Sequence, residues 1–164
     1  PHNQAQLLVN ELSKYFQIFH VTRPECRELV NTERVAEIDK RTLMLMAGLA
    51  NKRVLIDSCL QHAAAAFNAP STVLWVGTHP EVFGYPIHNN IKPAVPLDQE
   101  KNTAYIDSLF FDYDFNGPEH EYPFTSSDIF NLQDVVNSVL QDASPSVEGE
   151  VAGIPPTAVE NNNA

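Results

Sequence analysis

The residues with the clearest capacity for chemistry sit in one hexapeptide, Asp57-Ser58-Cys59-Leu60-Gln61-His62. A short apolar run, Arg53-Val54-Leu55-Ile56, ends on Asp57 as a buried parallel strand would. Ser58, with Gln61 three residues later, has the capping-box pattern that opens a helix. A strand-to-helix turn of this kind aims the first backbone N–H groups, here those of Cys59, Leu60 and Gln61, beyond the strand end, where the helix dipole favours an anion. The Asp57 carboxylate at the same turn suits sugar or ribose hydroxyls better than phosphate. His62, four residues after Ser58, returns to the same mouth one turn later. The same residues also have an architectural reading, in which Asp57 and Ser58 cap a helix and His62 lies on its face. Residue types alone leave both readings open.

Other side chains carry weaker signals. His79, His88 and Glu119-His120-Glu121 match no standard metal-site spacing, so no metal is expected. Trp75, Phe83 and Tyr85 have the faces to stack on a base or sugar, but packing against a sheet is the commoner use of such residues. Cys26 and Cys59 form no CxxC pair, which fits a reducing compartment and no disulfide scaffold.

The elements that must hold the hexapeptide read as α/β. Gln4–Tyr15 has Leu7, Leu8, Leu12 and Tyr15 at helical spacing, and Phe16–Val21 alternates as a strand. The stretch 25–38 is ambiguous, with Arg34–Ile38 as a short strand. Asp39 is the expected N-cap of a helix from Lys40 to Asn51. Strand 53–57, an alanine-rich helix through Phe67 that stops at Asn68-Ala69-Pro70, and strand 71–76 closed by Gly77-Thr78 make a βαβ unit, whose crossover is right-handed almost without exception. The prolines at 80, 86, 93 and 96 mark 79–96 as a structured loop. A strand is expected within Thr103–Tyr113, a loop over 116–123, and a last helix capped by Ser127 or Asp128 and running through Leu140. Residues 1–142 are thus expected to form one Rossmann-like domain, an open, mostly parallel sheet flanked by helices, and 143–164 a disordered acidic and polar tail.

Composition sets the outer bounds. The chain has 164 residues, 43% of them hydrophobic, enough for one domain with a real core. No apolar run approaches the roughly 18 to 20 residues of a membrane span. The formal net charge is −11, unevenly placed. All ten Lys and Arg lie in residues 1–101 against ten Asp and Glu, while 102–164 holds eleven acids and no Lys or Arg. That balance argues against wrapping a nucleic acid, yet a neutral first part can still hold a small anion through backbone N–H groups. The chain opens Pro-His-Asn-Gln with neither Met nor a basic-then-apolar leader, which suggests a processed chain or a fragment and a cytoplasmic setting.

Two stretches taken together, Asp57-Ser58-Cys59-Leu60-Gln61-His62-Ala63-Ala64-Ala65-Ala66-Phe67-Asn68-Ala69-Pro70 and Val73-Leu74-Trp75-Val76-Gly77-Thr78-His79-Pro80, resemble the C-terminal half of glycosyltransferase family 9. These are the heptosyltransferase-like enzymes of the GT-B fold. Their motif runs Asp, Ser or Thr, Gly, two residues, His, an alanine-rich helix, Pro, an apolar strand and a Gly-Pro or Gly-Thr step. The likeness covers about residues 39–92. It implies a domain that binds a nucleoside diphosphate sugar, with Asp57 on the sugar and the N–H groups of Ser58, Cys59 and Leu60 on the diphosphate. It also implies His62 beside them, and Lys40, Arg41 and Thr42 near the nucleoside. No metal or other cofactor is implied. The acceptor, a glycan or lipid-linked molecule, and the catalytic base would belong to an N-terminal domain that these residues do not contain. This chain alone is therefore expected to bind a donor without transferring it. One position departs from the pattern: the motif's Gly is Cys59. The other reading open to the chain is a non-catalytic α/β module whose acidic 102–164 stretch meets a basic partner.

Overall fold

The computed structural model describes residues 2–76, 79–95 and 128–141. The expected strand within 103–113, the loop over 116–123, the caps Gly77-Thr78 and Ser127, the Glu119–Glu121 cluster and the tail all lie outside them. In chain order the elements are α1 (His2–Leu12), β1 (Phe19–Val21), β2 (Glu33–Val35), α2 (Lys40–Leu49), β3 (Val54–Ile56), α3 (Cys59–Ala66), β4 (Thr72–Leu74), α4 (Pro80–Phe83), β5 (Asn89–Ile91) and α5 (Leu132–Leu140). They form two small parallel sheets, β1-β2 and β3-β4-β5, flanked by helices: an α/β fold compatible with a Rossmann-like open sheet. In the larger sheet Val54 lies opposite Thr72 and Ile56 opposite Leu74, with Leu74 in turn opposite Ile91. The carboxyl ends of all three strands are therefore level.

The core follows from two amphipathic helices. Leu8 and Leu12 of α1 meet Leu132, Val136 and Val139 of α5, and the same cluster takes in Phe16, Ile18 and Val54. Gln4 fastens this pair: its Nε2 donates to Phe130 O (2.6 Å) and its Oε1 accepts from Ile129 N (3.0 Å) and Phe130 N (3.3 Å). That clasp, with Ala94 N donating to Ile129 O at 2.7 Å, holds 129–130 out of helix. The N-cap of α5 is consequently Asn131, which accepts from Gln133 N, and not Ser127 or Asp128.

On the other helical pair, the alanine run lets α3 lie close to its neighbours. Ala64 is fully buried, and Gly48 of α2 leaves room for the Phe67 ring, which an added Cβ would meet at 2.6 Å. The helix ends in a Schellman motif, with Ala69 N donating to Ala64 O, Asn68 N to Ala65 O, and Asn68 left-handed at φ 54°. Arg53 locks the opposite edge. Its guanidinium donates to Ala47 O and Ala50 O, to Gly48 O (2.8 Å) and to Pro70 O (3.1 Å), closing the C-terminus of α2.

Two expectations need correcting. Paired strands are shorter than the apolar runs, three residues each. The 79–96 stretch is not a loop throughout, because His79 and Pro80 start the single turn α4 and β5 follows. Proline at a first helical position is no obstacle, and the poor strand formers Asn89 and Asn90 are held by tertiary bonds. Asn90 Oδ1 accepts from the indole N–H of buried Trp75 at 2.9 Å. No helix among the described residues is long and apolar enough to cross a membrane.

Candidate functional site

β3 delivers Asp57 and Ser58 to the carboxyl edge of the three-stranded sheet, where open α/β folds bind ligands. Ser58 is the N-cap of α3, with extended backbone and its Oγ accepting from Leu60 N at 3.3 Å. Gln61 N donates to Ser58 O at 3.2 Å, so two of the three first-turn amides already have internal partners. The reciprocal half of the capping box does not form. Gln61 is fully buried, and its side chain runs to the carbonyl of Phe83 (3.0 Å) instead of back to Ser58.

Cys59 is the first residue of α3 and its side chain is exposed. Among the described non-glycine residues only Asn31 and Asn68 have positive φ. Cys59 therefore needs no left-handed geometry, and a side chain in the place of the motif's glycine costs no backbone strain here. Asp57 is half-buried.

His62 is exposed on α3, its Nδ1 3.0 Å from Tyr85 Oη and its ring edge-on to the Tyr85 ring at 5.5 Å. Tyr85 also meets His88 edge-on at 5.8 Å. His88 is buried with Nε2 donating to Gln61 O (2.9 Å), while its Nδ1 and Gln61 Oε1 are buried with no partner. The segment after α4 thus forms one wall of the α3 turn. Sequence spacing holds no short-range signal for this, since Tyr85 is 23 residues from His62.

Lys40, Arg41 and Thr42 are exposed in the first turn of α2, the helix packed beside α3. That turn is closed by the expected cap: Asp39 accepts from Arg41 N and Thr42 N at 3.0 Å and from Thr42 Oγ1 at 2.6 Å. The Thr42 hydroxyl, then the Thr42 and Arg41 amides, hold the Asp39 carboxyl below its ordinary range.

The remaining candidates have structural places. Trp75 is 1% exposed and packs in the core, and His79 Nδ1 accepts from Glu81 N as the cap of α4. Among the described residues no three His, Cys, Asp or Glu side chains converge as a metal site would require.

A cleft of about 520 Å³ lies at the other edge of the sheet, lined by Lys52, Arg53, Thr72, His88, Asn89 and Ser138 among others. Its polar groups bond each other: Lys52 Nζ donates to Gln141 O (3.1 Å), and Ser138 Oγ meets Thr72 Oγ1 and Asn89 Nδ2, both at 2.6 Å. Asn51 and Gln141, just past the C-terminal ends of α2 and α5, also line this cleft, and a helix C-terminus disfavours an anion. The chemistry accordingly favours the Asp57–His62 edge over this cleft. No protein-family model, curated protein or solved structure matches the chain.

Proposed function

We propose that the chain is the donor-binding domain of a GT-B glycosyltransferase resembling family 9, holding a nucleoside diphosphate sugar at the carboxyl edge of β3. The observation that carries this reading is the junction itself. The parallel strand β3 ends at Ile56 with Asp57 directly after it, and the N-terminus of α3 opens beside them with the neutral Ser58 as its N-cap. In this reading Asp57 accepts from sugar hydroxyls, the amides of Ser58, Cys59 and Leu60 face the diphosphate, and His62 borders it. Lys40, Arg41 and Thr42 lie toward the nucleoside. Transfer by inverting displacement would need a second, N-terminal domain to present the glycan or lipid-linked acceptor and its base, in a cytoplasmic setting. No metal is needed where helix amides and the dipole neutralise the diphosphate.

A second reading is favoured by the internal bonds of Leu60 and Gln61: the turn satisfies itself, and the protein is a non-catalytic α/β interaction module. Calorimetric titration of the 164-residue chain with ADP-, GDP- and UDP-sugars separates the two. The donor reading requires saturable binding by at least one of them. Asp57→Ala should weaken it by about 10- to 100-fold, the loss expected for hydrogen bonds to a charged group. Silence from all three at millimolar concentration leaves the module reading.

A further inference from the structure

His20 and Arg34 are register partners on the adjacent parallel strands β1 and β2, so their side chains share one face of that sheet. We propose that this pair is an acid-operated latch on the connection between the two strands: a proton on His20 drives Arg34 off the turn over 23–28 and opens it.

Arg34 holds the turn closed. Its Nη2 donates to Pro24 O, to Arg23 O (3.2 Å) and to Cys26 O (3.3 Å), and its Nη1 pairs with Glu28. The backbone of the turn adds a bond from Cys26 N to Arg23 O at 3.1 Å. The guanidinium is thus fixed on the His20 face and cannot turn away without releasing three carbonyls.

The surroundings of His20 suit a neutral ring. Its Nδ1 is buried with no hydrogen-bond partner, and so is Nε of Arg34. A charged imidazole donates from both nitrogens, so charging this one leaves a buried N–H without an acceptor beside a cation. Among the described residues the charged groups acting on the ring are Arg34 from β2 and His2 from α1, both cationic in acid, while Glu28 on the turn is taken up by Arg34. Burial, then Arg34, then His2 hold the ring below its ordinary range.

Opening the turn frees Arg34 to move into water and takes its charge away from the ring. Neutral His20 therefore favours the closed turn, and that preference fades as pH falls below the ordinary imidazole value of 6.5. The strand pair is bracketed by Glu33 N donating to Ile18 O (2.8 Å) and Thr22 N to Val35 O (3.0 Å), so the connection can open while β1 and β2 stay joined.

Amide hydrogen exchange of the full chain, followed residue by residue by NMR near pH 7.5 and near pH 5 and corrected for the intrinsic rate at each, reads the opening. Protection of Cys26 and the rest of 23–28 should fall about two- to fivefold in acid, the range for a charge pair at a partly exposed site. His20→Gln and, as a second neutral replacement, His20→Asn should keep the turn equally protected at both pH values. Arg34→Met should leave it open at both, and His2→Gln should retain most of the response. A turn equally protected at both pH values in the unchanged chain, or a response that survives both His20 variants, overturns the proposal. Loss of the response in His2→Gln overturns it too, by moving the sensor to α1. Protection that falls at the amides of α3 but not in 23–28 shows acid weakening the fold as a whole, with no latch.

Discussion

Arg53 ties three parts of the molecule together, and its replacement has a calculable cost. The guanidinium donates to Ala47 O, Gly48 O and Ala50 O at the end of α2 and to Pro70 O just before β4. Burial is what pulls its pKa down, so the site is partly desolvated. Arg53→Met keeps the stem and removes every donor. A charge-assisted hydrogen bond is worth about 1.5 to 3 kcal/mol when buried, but this group is half-exposed and water can reach the released carbonyls, so about 1 kcal/mol each is the fair figure. Three of the four bonds are part-buried and the Ala50 bond is exposed, which gives about 3 kcal/mol in all. For a folded unit on the order of 100 residues that corresponds to a melting temperature lower by roughly 15 °C. Urea unfolding at 25 °C measures it directly, as a shifted midpoint at constant slope. Arg53→Lys should recover little, because one ammonium cannot span four carbonyls. A loss below about 1 kcal/mol in Arg53→Met, or full stability in Arg53→Lys, would refute the clamp argument.

Two further predictions concern pH. Asp39 has a folded pKa depressed by its bonds to Thr42 and Arg41, so its contribution to stability is present above the unfolded value near 3.9 and is lost as pH falls through the folded one. Thr42→Val removes the largest cause; carbon NMR should show the Asp39 carboxyl titrating at higher pH, and acid unfolding should begin earlier. His20 on β1 is disfavoured from charging first by burial, then by Arg34, its register partner on β2, and by His2. Its neutral form is the folded one, so stability should decline as pH falls through the unfolded value of about 6.5. His20→Gln should flatten that decline in unfolding curves taken on either side of it, and an equal slope in both proteins would dismiss the histidine as the cause.

Local signals carried much of this fold. Asp39 and Ser58 cap the helices that their sequence patterns predict, and Asn68-Ala69-Pro70 ends α3 as read. The α/β class and the parallel β3–α3–β4 unit were equally legible, because hydrophobic runs, caps and breakers act within a few residues of one another. What sequence could not supply is long-range. Gln61 abandons its capping-box role for a carbonyl 22 residues away, and α5 starts late because Gln4, on the first helix, holds 129–130. β5 pairs with β4 and is joined to it by the Trp75–Asn90 side-chain bond, although asparagine has little liking for strands. The Tyr85 wall belongs to the same category. Each of these depends on a partner that no periodicity reveals.

The two helix N-termini among the candidate residues differ in one decisive respect. That of α2 already holds a carboxylate, Asp39, through two amides and a hydroxyl, so an arriving phosphate would have to displace or repel a charge. That of α3 has the neutral Ser58 as its N-cap, whose hydroxyl accepts from Leu60 N by one long bond of 3.3 Å. Of the two, α3 is where an external anion gains most. Ser58→Asp tests this by making α3 resemble α2. A capping aspartate at a helix N-terminus is at least as good as serine, so the fold should hold or gain roughly 0.5 kcal/mol in urea unfolding. The same carboxylate should abolish binding of whichever nucleotide sugar the unchanged chain takes, while Ser58→Gly, which caps nearly as well without charge, should retain most of it. Binding that survives the aspartate would place the anion elsewhere and end the case for this turn.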